Sequence, residues 1–169
     1  MDNEYLLLKE NLFKELKLFF GNDVRRINHS KEVTAYAEDL LHKESADASI
    51  VIPAAVLHDV GIKIAEEKYN SDAARYQEKE GPAVAGKILS KLNFNHEDRD
   101  EICEIITHHH SPGIINTVNF KVLYDADWLV NLKDEIKTRD SKKLKKLIDR
   151  IFLTVSGKET AEKKYLQQK

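Results

Sequence analysis

The chain has 169 residues, 41% of them hydrophobic and 33% charged, with a formal net charge of −2; that length suits one domain with one core, and the charge excludes the clear positive excess of a default nucleic-acid binder. A single cysteine, Cys103, excludes an intrachain disulfide. The opening Met1-Asp2-Asn3-Glu4 is not the basic start of a signal peptide, and the longest apolar stretch, Ile50 to Leu57, falls short of the ~20 residues that span a bilayer, so a soluble cytoplasmic protein is expected.

Leu6, Leu7, Leu8, Leu12, Phe13, Leu16, Phe19 and Phe20 recur at helical spacing and predict an amphipathic first helix. Gly21 ends it. A second helix is predicted from near His29-Ser30, carrying Val33, Ala37, Leu40 and Leu41. Ile50 to Val60 has the composition of a strand, but Pro53 is tolerated in the first turn of a helix and not in a central strand. Ala54 and Ala55 also favour helix, which is therefore predicted, with Gly61 as its C-terminal cap. Residues 66–80 are polar and weakly periodic and read as a loop with room for a short helix. Gly81-Pro82 then opens a fourth helix with Val84, Ile88, Leu89 and Leu92 inward. Asn95-His96-Glu97-Asp98 starts a fifth, carrying Ile102, Ile105, Ile106 and His109, and Ser111-Pro112-Gly113 stops it. A sixth runs from about Phe120 to Leu132. A seventh, from Ser141, carries Leu144, Leu147, Ile148, Ile151 and Phe152, and the tail from Lys158 to Lys169 is a polar helix expected to fray. With no alternating pattern and no repeat, the expected fold is all-α, a single-domain helical bundle over residues 1–169.

The chemistry concentrates at Leu57-His58-Asp59-Val60-Gly61. Burying a carboxylate beside an imidazole is costly unless something pairs with both, and a divalent metal does so. Successive helical residues stand roughly 100° apart, so His58 and Asp59 can lean toward one point between them. Single ligands from two other helices, His29 and Asp127, complete a mixed nitrogen and oxygen set. Such a set suits Mn²⁺, Fe²⁺, Co²⁺, Ni²⁺ or Zn²⁺ better than Ca²⁺, with Mg²⁺ also a candidate. An ion held this way leaves positions for water, whose pKa it lowers.

The arrangement His29, His58-Asp59, Asp127 resembles the HD-domain superfamily of metal-dependent phosphohydrolases. Arg26-Ile27-Asn28-His29-Ser30 is similar to its first motif and Leu57 to Gly61 to the doublet that names it. Ile102 to His110 resembles the helix that brings further histidines inward. Leu123-Tyr124-Asp125-Ala126-Asp127 with Trp128-Leu129 resembles the last motif, in which the second aspartate is the ligand. Thr154-Val155-Ser156-Gly157 is similar to the end of small stand-alone members. The resemblance implies a helical bundle with a central metal, and hydrolysis of a phosphate ester or phosphoanhydride, often in a nucleotide, with Asp59 orienting or deprotonating the attacking water.

Two-metal relatives place a histidine just before the glycine of the fourth helix; here that slot is Glu80, which could bind a second ion, act as a general acid or face solvent. One metal is favoured, with His108 nearest the phosphate by its spacing from Ile105 and His109 as runner-up. Arg26 reaches phosphate or pairs with Asp23, and Lys63 binds phosphate or is solvated. Asp125 and Asp127, two apart, cannot share a helix face, and the family position selects Asp127. Trp128 is read as core packing. Lys142, Lys143, Lys145 and Lys146 form a polar face without a nucleic-acid role. The expected partner is a small phosphorylated substrate, with a nucleotide as one candidate; no nucleic acid and no membrane are expected, and a homodimer is admitted. The alternative from another class is a non-catalytic metal- or nucleotide-binding sensor of the same fold. Hydrolysis of a cyclic dinucleotide ranks below both, because Ser111-Pro112-Gly113 lacks the glycine-tyrosine-proline extension of that branch.

Overall fold

The computed structural model describes residues 3–136 and 140–167, and among them nine α-helices and no strand. In chain order these are α1 Asn3–Phe20, α2 Val24–Leu41, α3 Ala48–Leu57, α4 Gly61–Tyr69, α5 Ala74–Lys91, α6 His96–His108, α7 Val118–Glu135, α8 Ser141–Ile151 and α9 Val155–Leu166. The all-α expectation holds. The helix α3 is apolar all round, and every residue from Ile50 to Leu57 is buried, as befits the central helix of a bundle. Helices α1, α2, α6 and α7 pack around it. The stretch Ala48–Tyr69 is long and apolar enough to cross a membrane by length and composition, yet 67% of its most apolar window is buried inside the fold.

Several boundaries differ from the sequence reading. Helix α2 begins at Val24, not near His29, because the Asp23 side chain accepts the Arg26 backbone N–H at 3.2 Å and caps it there. His29 therefore sits in the second turn. Helix α3 begins at Ala48, capped by Asp47, which places Pro53 in its interior. The polar segment read as a loop is helical on both sides of residues 70–73. Helix α5 runs straight through Gly81-Pro82, so Pro82 lies within it. Here tertiary packing overrides the local cost of proline.

The physical reason is a close helix crossing. Gly61 is not a cap but the first residue of α4. A Cβ at Gly61 would lie 2.1 Å from the Gln77 carbonyl oxygen and 2.7 Å from the Gly81 nitrogen. Only a glycine lets α5 seat this deeply against the turn that follows α3. At the C-terminal end, α9 begins at Val155, before the expected Lys158, and buries Ser156, Gly157 and Ala161. The end of the expected tail, Gln168 and Lys169, lies outside the described residues.

Candidate metal centre

Three segments bring four side chains to one point. Helix α2 supplies His29, the turn after α3 supplies His58 and Asp59, and α7 supplies Asp127. The Ser30 hydroxyl donates to the Val56 carbonyl at 2.8 Å, which ties α2 to α3 beside the doublet. His29 Nε2 lies 3.2 Å from His58 Nε2, 3.4 Å from Asp59 Oδ2 and 3.1 Å from Asp127 Oδ1. His58 Nε2 lies 3.3 Å from Asp59 Oδ2 and 3.6 Å from Asp127 Oδ1. Ligands about 2.1 Å from a Zn²⁺- or Mn²⁺-sized ion stand roughly 3.0–3.4 Å from one another. His29, His58 and Asp59 have that spacing and fit a divalent ion, and Asp127 Oδ1 lies 3.1 Å from His29 and 3.6 Å from His58 on the same side of the cluster.

The protonation pattern agrees. His58 Nδ1 donates to the Ala55 carbonyl at 2.9 Å, which directs the Nε2 lone pair at the cluster, as in metal-bound imidazoles. Burial alone would lower the pKa of His58, but Asp59 and then Asp127 outweigh it and raise it to about 9. Burial pushes the Asp59 carboxyl up, and the imidazoles of His58 and His109 pull it well below the usual carboxylate range. Asp127 is likewise raised by burial and lowered further by the His29 hydrogen bond and the His58 charge. The two carboxylates favour positive charge at this point, which a divalent ion would supply.

A second group adjoins the first. Asp59, His109 and His110 present ligand atoms within 4.8 Å of one another. Asp59 belongs to both groups, with Oδ2 toward His29 and His58 and Oδ1 3.6 Å from His109 Nε2. His109 Nδ1 donates to the Ile106 carbonyl at 2.7 Å, and its Nε2 is buried without a hydrogen-bond partner. His108, the histidine preferred from spacing, is half-buried and belongs to neither group. The inner stripe of α6 is Ile102, Ile105, Ile106 and His109, and positions three and four apart share a helix face. That stripe selects His109.

Three other expected residues are placed elsewhere or are already engaged. The Lys63 amine donates to the Phe19 carbonyl at 2.8 Å and lies over the Phe19 ring; it closes the end of α1 and is not available to phosphate. Glu80 is held by Lys68 at 2.6 Å and the Tyr69 hydroxyl at 2.7 Å, so it is a neutralised carboxylate between α4 and α5 rather than an acid or a ligand. Arg26 lines the cleft beside the cluster, but its guanidinium is bound to Asp23 at 2.9 Å and Glu66 at 2.6 Å. Of the two sequence alternatives for Arg26, the pairing with Asp23 is the one seen.

The cleft has a volume of about 490 Å³, with His29, Asp59 and Asp127 in its wall. It also includes Arg25, Lys133, Gln77 and Asn131, which the sequence reading passed over. Asn131 was findable: it stands one turn after Asp127 and donates to its Oδ1 at 2.7 Å. Gln77 was hidden in the segment read as a loop.

The sequence model of the HD domain matches residues 26–151. The chain belongs to the HD-domain family. Membership places the chain in a family of metal-dependent hydrolases. The crystal structure of a predicted HD superfamily hydrolase from an uncultured Thermotogales bacterium superposes with a TM-score of 0.69. The match covers 93% of this chain and 84% of that one at 23% identity, a likeness of HD fold. No curated protein matches the sequence.

Proposed function

We propose that this HD-domain protein is a metal-dependent phosphohydrolase acting on a small phosphorylated substrate. The observation that carries the reading is the convergence of His29, His58, Asp59 and Asp127, with the two imidazoles 3.2 Å apart and each 3.1–3.6 Å from both carboxylates, beside a cleft of about 490 Å³. A divalent ion held there supplies Lewis acidity and a nucleophile from water at neutral pH. The chain supplies the rest. Asp59 would hold the ion through Oδ2, the oxygen nearest His29 and His58, and Oδ1 would be left to orient water and take its proton. His109 Nε2 is buried 3.6 Å from that oxygen. Arg25 and Lys133 line the cleft from α2 and α7, and no carboxylate of the described residues lies within 4.0 Å of either. These cations, rather than the engaged Arg26, are the ones free to meet a phosphate. The lone, half-buried cysteine agrees with a reducing cytoplasm.

One ion is expected in the four-residue group. Metal analysis paired with phosphate release from a panel of phosphate esters under Mn²⁺, Co²⁺, Ni²⁺ or Mg²⁺ tests the reading. About one equivalent of metal with metal-dependent release supports it. Two equivalents would bring in His109 and His110. Metal without turnover would favour a sensor.

A further inference from the structure

The support of one carboxylate in the cluster rests on a single amide. Asp127 is 5% exposed and reaches the wall of the cleft. Three nitrogen groups approach its Oδ1: His29 Nε2 at 3.1 Å, His58 Nε2 at 3.6 Å and Asn131 Nδ2 at 2.7 Å. In the metal-centre reading the two imidazoles are themselves ligands. A ring nitrogen that ligates an ion has no proton to donate, so neither imidazole can hold Asp127 by a hydrogen bond in the filled site. The Asn131 amide can. A carboxylate oxygen carries two lone pairs; one accepts from Asn131 and the other is left for a cation.

The bond follows from the helix. Asn131 stands four residues after Asp127 on α7, where side chains one turn apart meet. Its neighbours Val130 and Leu132 are buried, which fixes this turn of α7 against the core. Asn131 itself is half-buried and lines both the cleft and an adjoining cavity of about 330 Å³. Among the described residues, its side chain bonds to Asp127 alone, and no other amide, hydroxyl or backbone N–H donates to that carboxylate. The bond also opposes a force. The Asp59 charge repels Asp127 while the site is empty, and the cleft gives Asp127 room to turn away.

Resting on the metal centre of the phosphohydrolase reading, we propose that Asn131 is a positioning residue: its amide holds Asp127 Oδ1 toward His29 and His58 in the empty and the filled site alike, and so sets the affinity for the ion. Hydrogen bonds of this kind to a ligating carboxylate are typically worth 10- to 100-fold in metal affinity.

The test is calorimetric titration of Mn²⁺ into chelator-treated wild type, Asn131→Ala and Asn131→Gln, with the metal-free melting temperature measured beside it. Asn131→Ala is expected to bind Mn²⁺ roughly 10- to 100-fold more weakly, at a stoichiometry still near one, and to melt within about 4 °C of wild type without metal. Asn131→Gln keeps an N–H donor on the same turn and is expected to bind within about threefold of wild type. Wild-type affinity in Asn131→Ala overturns the proposal and leaves the metal centre standing. An Asn131→Gln protein as weak as Asn131→Ala also overturns it, because the loss would then belong to packing and not to the donor. So does an Asn131→Ala protein that melts far lower without metal, since Asn131 would then be structural. No saturable binding by wild type removes the metal centre and the proposal together.

Discussion

Two aspartates on α7 stand two residues apart and do opposite work. Asp125 is fully buried and accepts from the Leu153 N–H at 2.8 Å, the Thr154 N–H at 2.8 Å and the Thr154 hydroxyl at 2.6 Å. Its donors come from the junction of α8 and α9, and they are protein groups. Asp127 faces the other way, roughly 200° around the helix, where its Oδ1 is shared by His29 and Asn131 beside the cleft. Burial raises the Asp125 carboxyl to about 6 in spite of its hydrogen bonds, whereas imidazoles pull Asp127 down against the same burial. A carboxylate filled by backbone and hydroxyl donors fastens a fold. One that shares imidazoles with a second carboxylate is waiting for a cation.

The comparison breaks most visibly on the site side. Asp59→Ala, like Asp127→Ala, should abolish metal binding and turnover together, because each removes an anionic ligand from a four-ligand set. Phosphate release and bound metal are the readouts, and retained hydrolysis would contradict the assignment. Asp125→Ala should do the reverse. It leaves buried N–H groups unpaired, so a loss of about 3–5 kcal/mol is expected in urea unfolding, while the folded fraction still binds metal.

Gly157→Ala sharpens the structural half. Its Cβ would lie 2.2 Å from Asp125 Oδ2, and a loss of about 2–4 kcal/mol follows from that overlap. An unchanged melting temperature would show that the α8–α9 junction is looser than described.

The histidine between the two carboxylates gives a pH signature. Against the effect of burial, Asp59 and Asp127 raise the His58 imidazole from its ordinary 6.5 to about 9. A raised pKa means that the metal-free fold holds this proton more tightly than the unfolded chain. Its contribution to stability is therefore complete below pH 6.5 and is lost as pH rises through 9. Chelator-treated protein should melt lower above pH 9 than at pH 6.5, and metal affinity should rise over the same interval as the ion displaces the proton. The smallest effect is expected from Lys63→Ala. Loss of one bond to the Phe19 carbonyl should cost about 0.3–1 kcal/mol and leave turnover within about twofold.

Much of this was legible in the sequence. The apolar run Ile50 to Leu57 could only be a central element, and the order His29, His58-Asp59, Asp127 pointed to one convergent site. The inner stripe of α6 also selected His109; matching by spacing to Ile105 instead led to His108. The segment after Gly61 was not legible. Its residues face the cleft, the solvent and each other, so the apolar period that marks a helix is absent although α4 and α5 are helical. That is also why Gln77 escaped notice and why Glu80 lacked its partners Lys68 and Tyr69. Ion pairing across helices, as between Arg26 and Glu66, has no local trace in a sequence.

The most direct test of the metal centre is a titration of Mn²⁺ into chelator-treated wild type, Asp125→Asn and Asp127→Ala, followed by heat and by bound metal. The account predicts saturation near one equivalent in wild type and in Asp125→Asn, and no saturable binding in Asp127→Ala. Equal binding by Asp127→Ala, or none by wild type with any divalent ion, would contradict it.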